Sequence, residues 1–133
     1  MLAKNNIFNI RSGKSAWKGQ TGVSHGFVCF EGVEFAVRAW LILLLQSYPK
    51  AGCKTLEQVV HRYCPFGDGK NNPIAYLNSL YDHGFSCHDV VCEFNKQQLF
   101  VLAFWFAKIE TGVNLKKIDF ELGLNLYLKD YEW

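Results

Sequence analysis

Residues 99–112 read LFVLAFWFAKIETG, from Leu99 to Gly112. The first eleven are apolar apart from Lys108. Too short to cross a bilayer, such a run reads as a helix buried on nearly every side, because a helix apolar all round has no face to give to water. Asn95 stands just before it as the expected N-cap. Gly112 follows it as a residue that takes positive φ without steric cost, which is what the position past a helix end needs. One carboxylate, Glu110, therefore falls in the last turn of a core helix. Apolar neighbours desolvate an anion there and the negative end of the helix dipole opposes it, so both effects are expected to push its pKa upward. A carboxylic acid that keeps its proton near neutral pH is a general-acid candidate. The plainer reading, an ordinary surface Glu at a helix end, stands beside it.

Around this helix the chain has 133 residues, half of them apolar, enough for a real core without metals or bridges. One domain over residues 1–133 is expected, with 113–133 as an extension whose form the sequence leaves open. A net charge of +2 argues against binding duplex nucleic acid, which requires many phosphates to be neutralised. It remains compatible with an anionic cell-wall polymer. No run is long enough for a membrane span. The five cysteines, Cys29, Cys53, Cys64, Cys87 and Cys92, include no Cys-x-x-Cys pair, which counts against zinc ribbons and thioredoxin-like sites. Cys87, His88 and Cys92, with His83 nearby, are the one cluster to weigh as metal ligands, but buried free thiols are the commoner use, and neither metal nor cofactor is expected. Reduced thiols fit synthesis in the cytoplasm. The N-terminus lacks the apolar run of a signal peptide, so the expected route outward is lysis or a dedicated secretion machine.

Residues 5–30 read as loops and a short β-hairpin, with Gly26 to Phe30 as a strand. Val33 to Tyr48 reads as a largely buried helix ended by Pro49 and Gly52, and Arg38 inside it needs a carboxylate or carbonyl partner. Thr55 with Gln58 opens a helix that stops before Pro65. Pro73 sits in the first turn of a helix from Asn72 to Tyr81, closed by Gly84. Ser86 to Glu93 fits a short helix or a turn, and Leu115 to Tyr127 a further helix or an extended tail. The fold class is thus mainly α (α+β).

No G-x-S-x-G frames a serine nucleophile, and nothing obvious orients His61 and Cys64 at their helix end, although a peptidase using them stays in view. The loop PFGDGKNN lacks the frame of a phosphate-binding turn. The remaining constellation is a carboxylate pair acting on a sugar chain, Glu110 with Glu34 or Glu31.

Ordered motifs carry a resemblance over roughly residues 5 to 112. They are Asn6-Ile7-Phe8-Asn9-Ile10-Arg11, Trp17-Lys18-Gly19-Gln20, Gly26-Phe27 with Phe30, and Glu34-Phe35-Ala36-Val37-Arg38-Ala39, then Tyr48, Thr55, Arg62-Tyr63-Cys64-Pro65, Asn71, Tyr76 and Ala107-Lys108-Ile109-Glu110-Thr111-Gly112. The set resembles a family of small phage virion and prophage proteins described as structural proteins or peptidoglycan hydrolases. The family pattern runs N-P-x-N-I-R, W-x-G, G-F-x-x-F, G-[IV]-R-A, R-W-A-P, E-N-x-T-x-x-Y and A-x-x-x-x-E-x-G. This chain departs from it at Ile7-Phe8, Ala36-Val37, Tyr63-Cys64 and Pro73. The arrangement is also similar to lysozyme-superfamily glucosaminidases and lytic transglycosylases, where a buried helix ending in Glu-Ser-Gly precedes an Asn-rich segment. Here the two pieces are exchanged.

The resemblance implies a lysozyme-like helical domain, circularly permuted, with Glu110 placed beside Asn6, Asn9 and Arg11. It implies cleavage of peptidoglycan glycan strands, with Glu110 as acid and Glu34 as second carboxylate. Asn6, Asn9, Arg11, Trp17, Gln20 and Tyr76 would line the saccharide groove. The protein would act in the periplasm or cell wall as a phage lysin or a secreted antibacterial effector, with a cognate inhibitor or immunity protein as a further partner. The rival is a catalytically inactive virion or adaptor protein that binds wall or partner. Asn6 and Asn9 also read as ties between a loop and the core, and Trp17 as a core residue.

Overall fold

In the computed structural model residues 2–69 and 71–133 are described. The fold is α+β and mainly helical, as the sequence predicts, with one antiparallel hairpin. Strands β1 (Gln20–Ser24) and β2 (Phe27–Phe30) are followed by helices α1 (Val33–Ile42), α2 (Tyr48–Lys50), α3 (Leu56–Tyr63), α4 (Pro73–Tyr81), α5 (Lys96–Thr111) and α6 (Lys117–Asp130). The chain forms two compact units, one of Met1–Ile42 with Ala103–Trp133 and one of Leu43–Leu102.

In the first unit β1 and β2 join through His25 and Gly26, whose φ angles of 52° and 84° are both positive, as the tightest hairpin turns demand. The N-terminal segment is tied to β2 by isolated backbone bonds and a single bridge, Arg11 to Phe27, without forming a strand. Lys4 O accepts from Phe30 N at 2.9 Å and Ile10 O from Val28 N at 3.0 Å. The sequence left α6 open between helix and tail; it is a helix, and it packs on α1. Gly123 permits that packing, because a Cβ on it would meet Val37 and lie 2.8 Å from Glu34 O. Across the same pair, Arg38, buried in α1, donates from Nη2 to Asp130 Oδ2 at 2.8 Å, which supplies the carboxylate partner that the sequence requires. Phe8 stacks on Trp40 at 5.3 Å and Trp40 meets Phe106 edge-on at 5.4 Å, so the N-terminal loop, α1 and the end of α5 share one aromatic core.

The second unit shows the predicted caps. Thr55 and Gln58 form a reciprocal capping box at the start of α3, and Asn72 accepts from Ile74 N and Ala75 N at the start of α4. Asn95 and Gln98 exchange bonds of 2.8 and 2.9 Å before α5. Helix α1 does not stop at Pro49; it passes through a π-helical turn, Leu43–Ser47, into α2. That wider turn leaves Pro49 in the first turn of α2, where its missing N–H costs nothing. Ser86 to Glu93 resolves into a turn and a 3₁₀ helix, Val91–Glu93.

One expectation needs correction. Helix α5 is not buried on nearly every side: Leu99, Leu102, Ala103, Phe106 and Ala107 form a fully buried stripe, while Phe100, Val101, Phe104 and Trp105 are half-buried. A chain of 15.3 kDa has too little mass to surround a four-turn helix. Among the described residues no helix is long and apolar enough to cross a membrane.

Candidate functional site

Glu110 lies three residues after Ala107 and four after Phe106, so helical spacing makes it the continuation of the buried stripe of α5. It is half-buried, and Gly112, at φ 74°, ends the helix beyond it as predicted. A cleft of about 420 Å³ opens at this point, lined by Leu2, Asn9, Ile109, Glu110, Thr111 and Gly112. Its two walls are distant in sequence: the last turn of α5 with its cap, and the N-terminal loop.

Asn9 joins the walls. Its Nδ2 donates to Glu110 O at 3.0 Å and to Glu110 Oε1 at 3.2 Å. Asn9 takes a φ of 54°, a region that asparagine tolerates better than most residues. Thr111 adds a second tie, its hydroxyl lying 2.9 Å from Ile7 O and 3.1 Å from Ala107 O. Sequence reading missed Thr111, since a threonine bonding its own helix four residues back is common and carries no signal of a long-range contact.

Of the candidate residues, Glu110 and Asn9 are the two that line this cleft. Asn6 is fully buried: its Nδ2 donates to Ile10 O at 2.9 Å and Val28 O at 2.8 Å, and its Oδ1 accepts from Ile10 N at 2.9 Å. It ties the loop to β2 and offers nothing to a ligand. Arg11 is exposed, with its guanidinium carbon 5.1 Å from the centre of the Phe27 ring. Gln20 closes the turn before β1, its Oε1 accepting from the backbone N–H of half-buried Trp17 at 3.0 Å. Tyr76 is buried on α4, in the second unit. Glu34 is not among the residues lining the cleft; its carboxylate folds back over Gly32 at the start of α1, where the positive end of the helix dipole favours it. Glu31 is exposed ahead of that helix. Among the described residues lining the cleft, Glu110 is the one carboxylate.

Cys64 is buried at the end of α3 while His61 is exposed, its ring 6.1 Å from that of Phe66. None of the five cysteines is in a disulfide. Among the described residues no three His, Cys, Asp or Glu side chains are grouped to hold a metal ion. Compared with models of known families and with curated proteins, the chain matches none.

Proposed function

We propose that this chain is a lysozyme-like enzyme that cleaves the glycan strands of bacterial peptidoglycan, with Glu110 as the general acid. The observation that carries the proposal is the meeting of Asn9 and Glu110, 101 positions apart in the chain, in one cleft of about 420 Å³. That volume lies in the range of ligand-binding clefts. The two residues belong to two of the motifs that carry the resemblance, and their pairing is what a circular permutation of the lysozyme arrangement requires. Wall-acting roles fit it: a phage lysin, a virion-associated wall-opening protein, or an effector that reaches the periplasm by lysis or dedicated secretion and is held in check by an inhibitor protein.

In this mechanism Glu110 gives its proton to the glycosidic oxygen. The bond from that oxygen to the anomeric carbon breaks, its electron pair stays on the oxygen, and an oxocarbenium-like sugar remains. Either water or the sugar's own 6-hydroxyl then bonds to the anomeric carbon and gives a proton back to Glu110. Glu110 as the one carboxylate among the described residues of the cleft favours the second course, because water activation in two-carboxylate glycosidases uses a second Asp or Glu. The rival reading is an inactive virion or adaptor protein that binds wall or a partner.

Purified peptidoglycan incubated with wild type and Glu110→Gln separates the two readings, with mass spectrometry of released fragments. The enzyme reading expects fragments with anhydro ends from wild type and essentially none from the variant. The binding reading expects sedimentation with the wall and no fragments from either.

A further inference from the structure

A second cleft, of about 250 Å³, lies wholly within the unit of Leu43–Leu102 and shares no residue with the cleft of Glu110. Its lining comes from the loop after α4 and the first turns of α5. Below the volume of sites for drug-sized molecules, it suits a ligand of one ring. The apolar part of the lining is half-buried Phe85, stacked on buried Phe94 with ring centres 5.9 Å apart, and half-buried Val101.

The polar part offers both halves of a hydrogen bond. Asn95 N donates to Gln98 Oε1 at 2.9 Å, which commits the amide oxygen to the helix cap and makes the NH₂ end the one that serves a ligand. Asp89 is fixed by Ser86 N, which donates to Oδ2 at 2.8 Å, and its carboxylate only accepts. Gln97, exposed in the first turn of α5, both donates and accepts. His83 turns to the preceding helix, its Nδ1 donating to Ser79 O at 2.7 Å. Among the described residues lining the cleft there is no lysine or arginine.

This set discriminates between ligands. A purely apolar ring would desolvate the polar groups without pairing them, and an anion would meet Asp89. An ammonium group would satisfy Asp89 and face the donor of Gln98. A sugar ring meets every requirement, since its C–H face lies on an aromatic ring while its hydroxyls donate and accept. An acetamido substituent adds an N–H for Asp89, a carbonyl for Gln98 and a methyl for Val101. We propose that this cleft binds one ring of an N-acetylated hexosamine. The site needs no bond to be cut and stands apart from the role given to Glu110.

The test is an ¹H–¹⁵N NMR titration with N-acetylglucosamine, with lysine as the cationic control. Saturable shifts are expected at residues 83–101, including the side-chain amides of Gln97 and Gln98, with a Kd on the order of 1–10 mM for one ring. Gln97→Ala, Phe85→Leu and Asp89→Asn, which keeps the acceptor for Ser86 N, should each raise Kd about threefold or more. Chitotetraose binding tighter than a peptidoglycan fragment of equal length assigns the sugar to a chitin-type chain, and the reverse order assigns it to the wall. No saturable shift, a Kd unchanged in the variants, or equal shifts with lysine overturn the proposal. Should Phe85→Leu fail to fold, the exposed Gln97→Ala decides the matter. Glycan cutting without sugar binding here overturns this proposal alone; sugar binding without cutting overturns the proposed enzyme alone.

Discussion

At the scale of single residues, Asn6 and Asn9 show how one motif splits into two jobs. Both are asparagines of the same N-x-x-N-I-R segment, and the sequence gives no physical ground for separating them. Asn6 turns inward, where its amide satisfies three backbone groups of the loop and β2. Asn6→Ala orphans those groups, and a loss of about 2–4 kcal/mol is expected from urea unfolding. Asn9 turns toward Glu110. Tyr48 is a second buried polar residue with a measurable signature: burial pushes its phenol up from 10.0 to about 12. A group whose folded pKa is raised contributes stability that is complete below the unfolded value. That contribution is lost as pH rises through the window from about 10 to about 12. Absorbance at 295 nm in the native protein is expected to show Tyr48 ionising near the upper end, and Tyr48→Phe removes that component.

At the scale of elements, the pairing of α1 with α6 is what the sequence hid. Residues 113–133 lack a clean apolar stripe, because α6 exposes Ile118, Leu122 and Leu128 while burying Phe120, Gly123, Leu124 and Tyr127. Periodicity therefore could not settle whether the segment is a helix. Gly123 tests the pairing. In an open helix a Gly→Ala change gains about 1 kcal/mol. Here the added Cβ meets Val37 and sits 2.8 Å from the Glu34 carbonyl, which is backbone and cannot step aside. Overpacking costs about 1–3 kcal/mol, so Gly123→Ala is expected to be net destabilising in thermal unfolding. A gain in stability would show that α1 and α6 are not so closely packed.

The ion pair across those helices gives a pH prediction. The hydrogen bond from Arg38 holds the Asp130 carboxyl below the usual carboxylate range, assisted by Lys18 with its Nζ 4.0 Å away. A depressed carboxylate contributes stability that is present above its unfolded pKa and is lost as pH falls through the folded one. Asp130→Asn is expected to lower the melting temperature at pH 7. It should do so much less at acid pH, where the native carboxylate is already protonated. An equal drop at both would assign the effect to packing.

At the scale of the whole molecule, what was legible in the sequence was what depends on neighbours in the chain. Thr55 with Gln58, Asn72 before Pro73, Asn95 before α5 and Gly112 after it are local devices, and each occurs where the sequence predicts. The mainly helical class with one hairpin follows from the same signals. The candidate site was legible in part. Glu110 stood out as the only acid at the end of an apolar run, and its approach to Asn9 was implied by the resemblance. That Asn6 is walled in by its bond to Val28 of β2, 22 residues away, is a tertiary fact that no spacing rule contains.

The central claim is that a single carboxylate at the end of α5 donates the proton that breaks a glycosidic bond. Glu110→Gln tests it most directly, since it keeps shape and hydrogen-bonding reach while removing the proton to be given. Muropeptide release from purified peptidoglycan is expected to fall about 100-fold or more, with the melting temperature nearly that of wild type. Release by the variant at the wild-type rate, or no release by wild type, contradicts the account.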